Sequence, residues 1–203
     1  MRRTKHDNHF HVNHVIVWAL LALANASAQS IGPNSPSAAD AQPVIPTWAD
    51  AAHVMTSDNQ RAGFAGGNRA KLRAYDFGFS TLPAEATVLG FRISIEGYAA
   101  IDRDNVIDVA LSKSGFDVIG DAKLGNKLKV GGDSTITLGG PNDLWGAAWS
   151  RGDVAANNFA VLIFDSDSDN GALYIDHVQA TVYYSVASPR ALKVKKITGA
   201  RSN

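Results

Sequence analysis

The densest chemistry in the chain is the run Asp165-Ser166-Asp167-Ser168-Asp169-Asn170-Gly171. Carboxylates on alternate residues of a turn can converge their oxygens on one hard cation. Asp176, the twelfth residue counted from Asp165, would complete a set for calcium. Three features depart from a helix-loop-helix calcium loop: glycine falls at the seventh position rather than the sixth, the twelfth residue is Asp rather than Glu, and strands flank the run. The plainer alternative is a solvated hairpin tip.

Trp145 and Trp149 form a second constellation. Two aromatic rings four residues apart can make a platform for the apolar faces of sugars; alternatively both rings plug one end of the fold beneath a long connection. Ser150 and Asp153 have capping-box spacing and predict a short helical turn. That turn overlaps Arg151-Gly152-Asp153, a tripeptide that integrins recognise only on an exposed loop tip.

Catalytic parts are sparse. After residue 28 the histidines are His53 and His177, and His177 and Asp176, adjacent on a strand, point to opposite faces. Glu96, Asp102, Asp104 and Asp108 contain the makings of a paired-carboxylate glycosidase site, but acids near strand ends are commonplace. Gly63-Phe64-Ala65-Gly66-Gly67 lacks the lysine and the following helix of a phosphate-binding loop. The absence of cysteine removes disulfides, thiolate zinc sites and cysteine nucleophiles. No enzyme is expected.

Strands must position these groups. Leu89, Phe91, Ile93 and Ile95 alternate with Gly90, Arg92, Ser94 and Glu96, and Ile107, Val109 and Leu111 share one face. Val178, Ala180, Val182 and Tyr184 alternate with polar residues, whereas Phe159 to Phe164 is apolar throughout and predicts a strand buried on both faces. Glycine-rich turns such as Gly131-Gly132 and Gly139-Gly140-Pro141-Asn142 punctuate them. The pattern predicts an all-β domain over residues 47–186: an antiparallel β-sandwich, jelly-roll-like, of about eight strands.

Residues 1–28 read as a signal peptide. Arg2, Arg3 and Lys5 precede the apolar run Val15 to Ala24, and Ala26-Ser27-Ala28 is a small-x-small cleavage pattern. The run falls short of the roughly 20 residues of a bilayer span, so no membrane span is expected after leader cleavage. His6, His9, His11 and His14 lie in this leader, without a folded scaffold to fix a metal. Residues 29–46, with four prolines and no aromatic, read as a linker. Residues 187–203 form a basic tail.

Charge is unevenly spread: the neutral total conceals +2 in residues 1–28 and +5 in residues 185–203, leaving −7 on the body. An acidic body argues against nucleic acid as a partner.

Trp48-Ala49-Asp50, Arg73 to Ser80 (RAYDFGFS), Leu82 to Phe91 (LPAEATVLGF), Val109 to Lys113 (VALSK), Asp143 to Gly146 (DLWG), Asn158 to Val161 (NFAV) and Ile175 to Tyr184 (IDHVQATVYY) follow one pattern. Together they resemble a β-sandwich family that recurs in phage virion appendage proteins and in secreted bacterial proteins. The pattern spans about residues 48–185 and departs from the family's Ile-Pro-x-Gly at Thr81 to Glu85. The resemblance implies a sandwich and no transferable activity. The leader turns this phage-like reading toward the bacterial surface.

The expected function is therefore an exported, non-catalytic structural or interaction module, secreted, periplasmic or on the cell surface, or part of a virion-like assembly. Its partner would be a surface polysaccharide or a protein, with self-assembly through open sheet edges as a further outcome. The alternative is a carbohydrate-binding module using Trp145 and Trp149, calcium-assisted at the acidic run. Exposed, coplanar tryptophans would favour the sugar platform, and buried ones the scaffold.

Overall fold

Apolar residues at every second position give the chain its two longest strands, and these pair along their whole length. The computed structural model describes residues 27–45, 47–64, 70–101, 106–165 and 172–187. In chain order the strands are β1 (Ala28–Asn34), β2 (Ala38–Ala41), β3 (Ala62–Phe64), β4 (Lys71–Tyr75), β5 (Ala86–Ala99), β6 (Val106–Ser112), β7 (Ile119–Lys127), β8 (Lys129–Val130), β9 (Ser134–Gly139), β10 (Ala160–Asp165) and β11 (Leu173–Val186). Single-turn 3-10 segments cover Ala51–Val54 and Phe79–Thr81, and one short helix, α1, covers Arg151–Ala155.

The strands form two sheets. In the first, β5 pairs with β11; β3 and β1 share the far flank of β11, while β8 and β9 share the far flank of β5. The second runs β2-β4-β10-β6-β7. Pairing is antiparallel except for the short β5–β8 contact. The two inner faces merge in one core: Phe91, Ile93, Ile95, Val178, Ala180 and Val182 from the first sheet meet Leu72, Ile107, Val109, Leu111, Val161 and Ile163 from the second. This is an antiparallel β-sandwich. β10 is buried on both sides, as its apolar run predicts, because Leu162 and Phe164 join Ala110 in a small outer cluster against which Phe116 and Ala122 pack.

Three expectations need correction. The described strands number eleven rather than about eight, since β3 and β8 are too short to show a period and β1 and β2 lie in the segment expected to be a linker. That segment is integral: β1 pairs with β11 from Ala28 to Asn34, and β2 pairs with β4. It was hidden because its residues are small and its prolines look like breakers; Pro33 sits where the β1–β11 register shifts, on a flank where a missing N–H costs no ladder bond. Third, Leu89 does not share a face with Phe91. Tyr183 pairs with Gly90 and Tyr184 with Val88, so Leu89 is an extra, bulged residue, and Val88 takes the core position.

Candidate functional site

The β11 register places Tyr174 between Tyr98 of β5 on one side and Gly63 of β3 on the other. Directly opposed residues on one face of a sheet are side-chain neighbours. Tyr98 and Tyr174 accordingly stack, with centroids 4.8 Å apart and planes 20° from parallel. Gly63 contributes no side chain to the other flank of Tyr174, where a built Cβ would lie 3.5 Å from the tyrosine ring. The gap opens into a groove of about 330 Å3, whose walls include Thr47, Asp50, Arg61, Gly63 and Tyr174.

The groove's outer wall is the segment before the first 3-10 turn. Ala49 and Gly63 exchange backbone hydrogen bonds, Ala49 N–H to Gly63 O at 2.8 Å and Gly63 N–H to Ala49 O at 3.1 Å. Trp48 anchors that wall from inside, buried, donating from Nε1 to Ala70 O at 2.9 Å and stacking on Phe64 at 5.1 Å. Asp50, at φ 54°, turns the chain with its residue exposed at the rim.

Arg61 closes one end. Its Nε donates to Asp133 Oδ1 at 3.1 Å, Nη2 donates to Asp133 Oδ2 and to Asn59 Oδ1, and Nη1 donates to Asn59 O at 2.7 Å. Its guanidinium lies over Tyr98, 5.2 Å from the ring centroid. Arg61, Tyr98 and Tyr174 thus gather on the outer face of the sheet as one cation–aromatic cluster.

Beside these groups lies an acidic cluster. Glu96, Asp133 and Asp176 each offer one carboxylate oxygen within 4.8 Å of the others. Asp176 reaches it through a bulge: Ile175 pairs with Gly97 and His177 with Glu96, leaving Asp176 as the extra residue. It is 1% exposed and accepts long hydrogen bonds from the amides of Asp58 (3.4 Å) and Asn59 (3.3 Å). Burial raises its pKa and the Glu96 charge adds to this, against the two amides and Arg61. These three carboxylates are the described residues best placed to hold a cation, with Arg61 already compensating Asp133.

The sequence-expected sites fall differently. Trp145 (1% exposed) and Trp149 (8%) are buried and are not a solvent-facing platform. Trp149 packs edge-on against Phe91 and Phe159 at 5.1 and 5.6 Å, and Trp145 Nε1 donates to Phe91 O at 3.4 Å. Lys123 and Lys113 cover them from outside, their Nζ atoms 4.8 Å from the Trp145 ring and 5.4 Å from the Trp149 ring. The rings plug one end of the sandwich. The expected helical turn is present: Ser150 and Asp153 form the capping box of α1. Arg151 donates to the Ser80 and Leu82 carbonyls and Asp153 pairs with Lys113, so the tripeptide's two charged side chains are already engaged.

Of the expected calcium ligands, Asp167 and Asp169 lie outside the described residues, and Asp165 ends β10 in the second sheet. Asp176 belongs to the first sheet and is engaged by the 58–59 amides; spacing alone cannot reveal that a bulge turns it there. Asp108 and Glu96 do not pair either. Each alternates with core residues of its own sheet, so they lie on opposite outer faces, Asp108 accepting from Gly125 N–H at 2.9 Å. Asp102 and Asp104 are outside the described residues. Ser35 Oγ and His177 Nε2 are 2.8 Å apart, but Asp176 is turned to the 58–59 amides.

No protein-family model and no curated protein matches the chain. Among solved structures it is similar to a Family 16 Carbohydrate Binding Module-2 (TM-score 0.38, 11% identity, covering 63% of this chain and 79% of that one). It is also similar to the xylan-binding module CBM15 (TM-score 0.38, 11% identity, 82% of this chain and 100% of that one). A third likeness is to the Stig cyclase Fisc from Fischerella sp. TAU in complex with an indole ligand (TM-score 0.38, 13% identity, 82% and 79%). At this distance they carry no argument about the site, which rests on the chain's own residues. Among the described residues no helix is long and apolar enough to cross a membrane.

The sequence reading missed the Tyr98–Tyr174–Gly63 arrangement. Its one local signal is a glycine inside the short strand Ala62-Gly63-Phe64, the kind of position where another group approaches a sheet closely.

Proposed function

We propose that the protein is an exported, non-catalytic interaction module that binds a saccharide in the groove beside Tyr174. The observation carrying this is the flank of the Tyr174 ring that Gly63 leaves without a side chain, with Tyr98 stacked on Tyr174 from the other side. A sugar ring has an apolar face to lay on an aromatic ring and a hydroxyl edge to hydrogen-bond. Thr47, Asp50 and the backbone of the 47–50 segment line the other side of the groove and supply partners for that edge.

Export fits the fold. Cleavage between Ala28 and Gln29 removes only the first residue of β1 and keeps the Gln29 Oε1 acceptor that bonds Tyr184 Oη at 3.0 Å. Mass spectrometry of the mature N-terminus should find Gln29.

Two variants test the groove on a glycan array and by titration of the positives. Tyr174→Ala removes the platform and should weaken binding by about 1–2 kcal/mol, roughly tenfold. Gly63→Val fills the gap while favouring the strand, so binding should fall with no loss of thermal stability. Glycan binding unaltered in both variants refutes the groove as the site.

A further inference from the structure

We infer that the groove takes uncharged glycans and turns away uronate-bearing and sulfated ones. This rests on the saccharide reading of the same groove. An arginine in a binding groove is ordinarily an anion hook, because its planar fork matches a carboxylate or sulfate with two parallel hydrogen bonds. Arg61 is the cation lining the groove among the described residues, and its fork is filled. Nε and Nη2 face the two oxygens of Asp133, and Asn59 takes Nη1 and shares Nη2. Four of its five N–H donors are thereby committed.

The surroundings point the same way. Asp50 stands at the rim, and Asp133, which holds the guanidinium, is clustered with Glu96 and Asp176. An incoming carboxylate would have to displace Asp133 and leave it beside two other carboxylates. The displaced group is only about one-fifth exposed, at 20%, and would lose its counter-charge where water screens poorly. A neutral sugar meets none of this. It needs the ring face of Tyr174, the remaining Nη1 proton and the acceptors of Asp50, whose negative charge strengthens hydrogen bonds donated by sugar hydroxyls.

The test compares neutral polysaccharides with uronate and sulfated ones on the full chain, at low and high salt, counting only binding lost in Tyr174→Ala. That restriction separates the groove from the basic C-terminal segment. Neutral glycans should bind at least tenfold more tightly at low salt, with the gap narrowing as salt screens the carboxylates. Asp50→Asn, which keeps a residue tolerant of the left-handed backbone at φ 54°, should raise uronate binding relative to neutral binding by roughly two- to fivefold. Tyr174-dependent binding of uronate or sulfated glycans as tight as that of neutral ones overturns the inference and leaves the saccharide reading standing. Tyr174-dependent binding of neither class overturns both.

Discussion

Asp176 shows how one bulged residue couples the site to stability. An ordinary strand position would alternate it to a single face beside its neighbours; the extra residue instead turns its carboxylate under the 58–59 amides and against Glu96. Burial foremost, then the Glu96 charge, holds its pKa above the usual aspartate range. The folded chain therefore keeps a proton there at pH values where the unfolded chain has released it. Native protein binds more protons than unfolded protein across that window, so this group's contribution falls as pH rises through it and is neutral below the unfolded pKa. Asp176→Asn removes the penalty while keeping an acceptor for one amide. Its Tm should exceed that of the parent at pH 7, with the difference closing toward pH 3.5. Equal Tm differences at both pH values would show that the carboxylate's charge is not the cause. Such a residue is illegible in sequence, where Asp176 reads as the last ligand of a loop eleven residues earlier.

At the level of elements, the connection from β9 to α1 is a lid over the core's aromatic end, fastened by two lysines. Asp143 accepts from Trp145 N–H at 2.9 Å and pairs with Lys123 at 2.7 Å, and Lys123 in turn lies over the Trp145 ring. Gly139 makes room for it, since a Cβ there would meet Trp145 Nε1 at 2.7 Å. Burial pushes the Asp143 pKa up, but the Lys123 bond and the Trp145 amide outweigh it and hold the carboxyl below its usual range. Asp153 is held low in the same manner by the Ser150 amide and Lys113. Depressed aspartates stabilise above the unfolded pKa and lose that contribution as pH falls through the folded one, so the lid should loosen only below about pH 4. Acrylamide quenching of tryptophan should stay low from pH 8 to 4 and rise below it. Lys123→Ala should cost about 1 kcal/mol, a Tm lower by roughly 2–4 °C; no change would mean that the lysine only decorates the lid. The long strands of this end were legible, because a period of two in β5 and β11 and the unbroken apolar run of β10 survive any tertiary arrangement. The site was not. Tyr174, Tyr98 and Gly63 are far apart in the chain, and only the strand register, which sequence periodicity does not specify, brings them together.

The whole molecule is closed by the segment that looks least like structure. β1 and β2 are made of Ala, Ser, Gly, Asn, Gln and Asp with one Ile and one Pro, yet they flank β11 and β4, one in each sheet. Polar contacts fix them where apolar bulk is missing. Asn34 Nδ2 donates to Phe77 O at 2.8 Å, Ser37 Oγ to Asp76 Oδ2 at 2.6 Å, and Arg73 Nε to Asp40 Oδ1 at 2.7 Å. Ile31, Ala39 and Ala41 pack onto the core from the same segment. Without it, long stretches of β11 and β4 become open edges with unpaired backbone groups, a template for aggregation. Two chains test this. One beginning at Gln29 keeps nearly all of β1 and should melt as the full chain does. One beginning at Thr47, where composition alone would place the domain boundary, loses both strands; its Tm should fall by roughly 10 °C or more, several kcal/mol at this size, or the protein should aggregate. Equal melting of the two chains would show that residues 28–41 merely lie against a sandwich complete without them, and would move the domain boundary back to Thr47.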